Sequence, residues 1–89
     1  MGYYVLDEIE KGDYKFSLDT FLGDPAANIC CWVYYKGKPL NIEGTNDQVH
    51  KVFPQDHGSV NRKHLYNFIN KFIKDEAYRN QYVVKGRTR

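Results

Sequence analysis

Between residues 14 and 22 apolar and polar positions alternate: Tyr14, Phe16 and Leu18 are separated by Lys15, Ser17 and Asp19. A period of two predicts a strand with one buried and one wet face. Residues 3–10 are read as its partner, joined to it at Lys11-Gly12. Gly23-Asp24-Pro25 then interrupts the pattern, as a turn does. NICCWVYY, residues 28–35, is apolar on both faces and rich in β-formers, which predicts a central strand. After a turn at Lys36-Gly37, KPLNIE returns as a fourth strand with Leu40 and Ile42 inward. Pro39 has no amide hydrogen and suits an edge.

The period changes after Gly44. Asn46 or Asp47 is placed as the cap of one short helical turn bearing Val49, Val52 and Phe53, which Pro54 ends. Ser59 or Asn61 caps one long helix running to about Arg79. Its Leu65, Phe68, Ile69, Phe72 and Ile73 recur at i, i+3, i+4, i+7 and i+8 and form an amphipathic stripe. QYVVK, residues 81–85, reads as a last strand, and residues 86–89 as a loose basic tail. The expected fold is therefore α+β: an antiparallel sheet of four or five strands with one long helix, from the C-terminal half, packed on one face. The expected order is β-β-β-β-(short turn)-α-β, in a single domain over residues 1–89.

Composition adjusts this picture in two ways. Eight tyrosines are more than a core of 89 residues can bury completely, so some rings should lie at the surface, where they suit interfaces. Charge is unevenly divided. Residues 1–44 carry four lysines and seven acids, and residues 45–89 carry nine Lys or Arg and four acids. Such an asymmetry points to a charged partner. No apolar run approaches the ~18 residues of a membrane span, and MGYYVLDEIE carries neither a basic segment nor an apolar signal core. The reading is cytoplasmic, with no membrane partner. Cys30 and Cys31 are adjacent, too close to close a useful disulfide loop, and are expected as reduced thiols on opposite faces of a strand.

The densest chemistry lies in HKVFPQDHGSVNRKH, where His50, His57 and His64 follow one another at a spacing of seven. Asp56, His57 and His64 have the residue types of a metal-dependent ββα nuclease site. The spacing is wrong: only three residues separate His57 from Asn61, far fewer than an HNH nuclease places between its hairpin and its helix. Pro54 and Gly58 also break any helix that could align the histidines. The segment is read as a connector, with no metal, no cofactor and no catalytic residue assigned. No phosphate loop, nucleophile elbow or CxxC is present, so an enzyme is not expected.

What remains points to binding. Lys63, Asn67, Asn70, Lys71 and Lys74 share the helix face opposite the stripe, and Arg79, Lys85, Arg87 and Arg89 extend its positive charge. These are residues that contact phosphates or an acidic partner. Aromatic anchors for a protein partner come from Tyr3, Tyr4, Trp32 and Tyr34, with Trp32 and Tyr34 assigned to the sheet face away from the helix. The frequent Asn, Lys, Tyr and Ile of so short a chain are typical of an AT-rich genome. In this style the chain resembles the short accessory proteins of bacterial viruses, many of which inhibit a host enzyme or defence complex. That resemblance implies a protein or nucleoprotein partner and assigns no site residue. The leading expectation is a non-enzymatic binding protein, monomer or homodimer, that occupies such a partner. Direct nucleic-acid binding through the basic helix face and tail is the alternative.

Overall fold

In the computed structural model, which describes residues 3–21, 28–54 and 60–84, β1 (Tyr3–Lys11), β2 (Tyr14–Phe21) and β3 (Ile29–Tyr35) form an antiparallel meander. Gly12, at φ +60°, starts the two-residue β1–β2 turn. Lys36 and Gly37, at +52° and +81°, make the next hairpin with both central residues left-handed. β4 (Lys38–Pro39) pairs with the C-terminal end of β3, and β5 (His50–Phe53) pairs with its N-terminal half. β4 and β5 are thus two pieces of one edge, separated by a small hairpin that leaves at Leu40 and returns at Val49. The ladder resumes where the Val49 N–H donates to the Leu40 carbonyl (2.7 Å) and the Val33 N–H to the Val49 carbonyl (3.1 Å).

The expected short helical turn over Val49, Val52 and Phe53 is therefore a strand. The spacing fits one turn of helix, but the open edge of β3 offers a full ladder. With a period of two, Val49 and Phe53 enter the core while Val52 faces out, 46% exposed.

α1 (Arg62–Lys74) lies across the inner face of the sheet. Leu65, Phe68, Ile69 and Phe72 pack there against Phe16, Leu18, Ile29, Cys31 and Val33. The Asn61 side-chain oxygen caps its start, accepting from the amides of Lys63 (3.0 Å) and His64 (3.3 Å). Arg62 ties that end to β1 through Asp7, 3.2 Å away.

The helix does not continue to Arg79. Asp75 adopts φ −108° and ψ 103°, and α2 (Glu76–Val83) begins there with the Asp75 carboxylate accepting from the Tyr78 amide (3.1 Å). The expected strand over residues 81–85 is corrected accordingly: 81–83 are helical and residue 85 lies outside the described residues. Tyr78 and Tyr82, four residues apart on a helix, both reach the ring cluster around Phe68 and Phe72, which outweighs the strand preference of the two valines. The fold is α+β as expected, with a five-stranded sheet and two C-terminal helices on one side.

Cys31 sits under α1, and burial pushes its thiol up to about 12, with Cys30 and Asp19 adding to the rise. A thiol kept neutral by folding contributes stability that is complete below its ordinary value of 9.0 and is lost between there and about 12. Native protein at pH 8 is expected to leave Cys31 unmodified by iodoacetamide, whereas in urea both cysteines react. Cys31→Val should flatten the fall in urea midpoint above pH 9. Modification of native Cys31 at the rate of an open thiol would contradict its position.

Candidate functional site

Two surfaces gather the side chains with binding chemistry. The first is the outer face of the sheet, which no described element covers. Register places its residues in rows across the strands. Val5, Asp19, Cys30 and Val52 form one row; Glu8, Ser17, Trp32 and His50 form the next; Glu10, Lys15, Tyr34 and Pro39 form a third. Trp32 and Tyr34 thus lie opposite the buried Cys31 and Val33. The Trp32 ring leans on His50, with centroids 4.7 Å apart. Lys15 stands over Tyr34 at 4.7 Å and reaches Glu8 at 3.8 Å. Ser17 donates to the Asp19 carboxylate at 3.1 Å. The face is acidic along β1, mixed along β2, where Lys15 and Asp19 balance, and aromatic along β3 and at His50 of β5.

The half-buried Trp32 has its ring beside that of His50, on the sheet face that no described element covers. Iodide is therefore expected to quench native emission, and His50→Ala to raise the quenching constant. Unquenchable, blue-shifted emission would mean that something covers this face.

The second surface is a groove of about 420 Å³ between β5 and the helical layer. Phe53, Phe68 and Tyr78 line it on the apolar side, with Val52 and Pro54 at its strand wall and His64 and Asn67 at its helix wall. Two ammonium groups stand over the rings. Lys51 Nζ is 5.7 Å from the Phe53 centroid and 5.9 Å from that of Phe68, and Lys71 Nζ is 4.9 Å from that of Tyr78. No carboxylate is among the described residues that line it. Groups of this kind attract a ligand with both negative charge and a flat or branched apolar part.

The basic helix face is brought together in part. Asn67, Asn70, Lys71 and Lys74 share an open groove at the α1–α2 elbow, but Asp75 and Glu76 line it too and offset its two lysines. Lys63 is exposed one turn earlier on α1. Arg79 is turned inward: its Nη1 donates to the carbonyls of Phe72 and Ile73, both at 3.0 Å. Lys85, Arg87, Arg89, Asp56 and His57 lie outside the described residues, as do the side chains of Tyr3 and Tyr4. The histidine series is dispersed, with His50 on the outer face and His64 in the groove. Among the described residues no three His, Cys, Asp or Glu side chains could share a metal ion. None of the described helices is long and apolar enough to cross a membrane.

Sequence reasoning did not single out Lys51, Phe53 or His50 as binding residues. The alternation of Val49, Lys51 and Phe53 against His50 and Val52 was the available signal, obscured by a lysine on the inward side. Comparison with family models, with curated proteins and with solved structures found no match.

Proposed function

We propose that the protein is a small non-enzymatic binding domain that docks on a protein or nucleoprotein partner through the outer face of its sheet. The observation that carries this reading is the tilted Trp32–His50 ring pair, with centroids 4.7 Å apart, on a face that no described element covers. A tryptophan held in place by a neighbouring ring has little rotamer freedom left to lose on association, which is what an interface anchor requires. Tyr34 and the exposed Val5 and Val52 extend the apolar area on either side of it. The short, tyrosine-rich chain suits an inhibitor that acts by occupying its partner's surface, and a host or defence nucleoprotein is the partner class we favour.

The second reading, direct binding of nucleic acid, is favoured by the shared groove of Asn67, Asn70, Lys71 and Lys74. The acids beside those lysines and the inward Arg79 make it the weaker of the two. A pull-down from lysate separates them. Wild type should retain a specific protein that Trp32→Ala loses and that a Lys63, Lys71, Lys74→Glu variant keeps, at physiological salt and after nuclease treatment. Retention of nucleic acid instead, abolished by the lysine variant and steeply salt-dependent, would reverse the order.

A further inference from the structure

The groove beside β5 asks for a different ligand from the flat sheet face, and its chemistry narrows the choice. We infer that it is a second binding site, which takes an extended acidic peptide segment added as a strand along the outer edge of β5. The first argument is the edge. The Val33–Val49 ladder bond sets the alternation, so Lys51 and Phe53 are the β5 residues whose backbone groups face β3. The N–H and C=O of His50 and Val52 consequently point outward, and among the described residues no strand pairs with that edge. A peptide laid there finds two residues' worth of main-chain partners, the way edge-adding ligands are held.

The second argument is the wall across from the edge. α1 runs alongside and contributes Asn67, Phe68 and Lys71 to the same groove. Side chains of an added strand alternate, so one of them points down onto Phe53, Phe68 and Tyr78. A groove of about 420 Å³ has room for an aromatic or large aliphatic side chain together with the neighbouring residues of the segment that carries it.

The third argument is charge. Lys51 and Lys71 stand over the rings on the strand and helix sides. An incoming carboxylate next to the anchoring side chain meets both, in a setting where the rings exclude water from one side and strengthen the attraction. The occupant is thus an acidic segment with one bulky apolar residue, carried by a protein partner. A single-stranded nucleic acid also has charge and flat rings, but it cannot answer the outward N–H and C=O of Val52 with main-chain bonds of its own.

The test is a selection of random eight-residue peptides on the immobilised full chain, followed by fluorescence anisotropy of the best synthetic peptide. Enriched sequences should carry Asp or Glu within two positions of an aromatic or large aliphatic residue. Lys51→Met with Lys71→Met should weaken that peptide by about tenfold or more. Val52→Pro, which deletes the outward N–H but no ladder bond, should weaken it comparably. Trp32→Ala should leave it unchanged, which separates this site from the sheet face. Each variant is checked by thermal melting, and any that fails to fold is replaced by Val52→N-methylvaline or by single lysine changes. No enrichment, enrichment of basic peptides, or loss with Trp32→Ala alone would overturn the proposal. So would competition by an oligodeoxythymidine at lower concentration than the peptide, or full binding by the Val52→Pro variant.

Discussion

Replacing Phe68 by aspartate should leave the domain largely unfolded at 25 °C. Phe68 is 3% exposed and sits at the centre of the ring cluster, with centroids 6.1 Å from Phe16, 6.0 Å from Phe53, and 5.6 Å from Phe72 and from Tyr82. A carboxylate there forfeits the ring's packing and must either be buried charged, with the Lys51 ammonium (5.9 Å from the Phe68 centroid) offsetting only part of its desolvation, or take up a proton, on the order of 3 kcal/mol or more in either case. A domain of this size has roughly 5–15 kcal/mol in total, often at the low end, so the loss is a large share of it. Phe68→Leu keeps apolar volume and should cost only about 1–2 kcal/mol. Lys63→Asp, on the exposed face of the same helix, should change stability by no more than about 0.5 kcal/mol. Urea unfolding followed by circular dichroism distinguishes the three. A Phe68→Asp protein with the wild-type midpoint would mean that α1 presents another face to the sheet.

The parts of the fold that were legible in the sequence are those where a single period governs an uninterrupted segment. β2 alternates without exception from Tyr14 to Asp19, and α1 repeats its stripe for more than two turns from Leu65 to Ile73. Both faces of β3 are apolar for different reasons, core on one side and ring-bearing surface on the other, and the more aliphatic set is the one under α1. Where two readings share a spacing, tertiary context decided. Val49, Val52 and Phe53 fit one helical turn and also a short strand, and the vacant half of the β3 edge selected the strand. The inward Lys51 disguised the alternation, because its stem can follow the sheet while the ammonium rises over Phe53 and Phe68.

The same limitation governs the surfaces. Lys71 and Asn67 could be placed together from helical spacing alone, whereas their meeting with Lys51 and Phe53 depends on β5 being a strand beside α1. The outer face was accessible to alternation within β3, but its rows follow from the β1–β2 and β3–β5 registers. The β1 register includes a shift between Val5 and Asp7 that hydrophobic pattern does not announce.

The elbow between the helices did leave a trace. Continuing the α1 stripe beyond Ile73 reaches Glu76, Arg79 and Asn80, all polar, while the apolar rings appear out of phase at Tyr78 and Tyr82. A helix that kept going would turn those rings away from the core. Breaking at Asp75 resets the phase, and Arg79 is what makes the break tolerable. The last turn of α1 ends in carbonyls with no helical partner, and the Arg79 guanidinium satisfies those of Phe72 and Ile73 while placing a cation at the negative end of the helix.

Arg79→Met, which keeps the stem and removes the donors, is therefore expected to cost about 1.5–3 kcal/mol. For a domain of this length that is a fall in melting temperature of roughly 10 °C. Arg79→Lys should recover only part of it, since one flexible ammonium does not reproduce the fixed fork of the guanidinium. The loss should extend to the ring cluster: Tyr78 and Tyr82, whose hydroxyls lie 3.2 Å apart, hold their positions only if α2 folds back. Burial raises the Tyr78 phenol, with the Tyr82 hydrogen bond adding to the rise, and a loosened elbow should return it toward its ordinary 10.0. Spectrophotometric titration at 295 nm would then show one more tyrosine ionising near pH 10 in Arg79→Met than in wild type. An unchanged titration together with an unchanged melt would show that the elbow stands without Arg79.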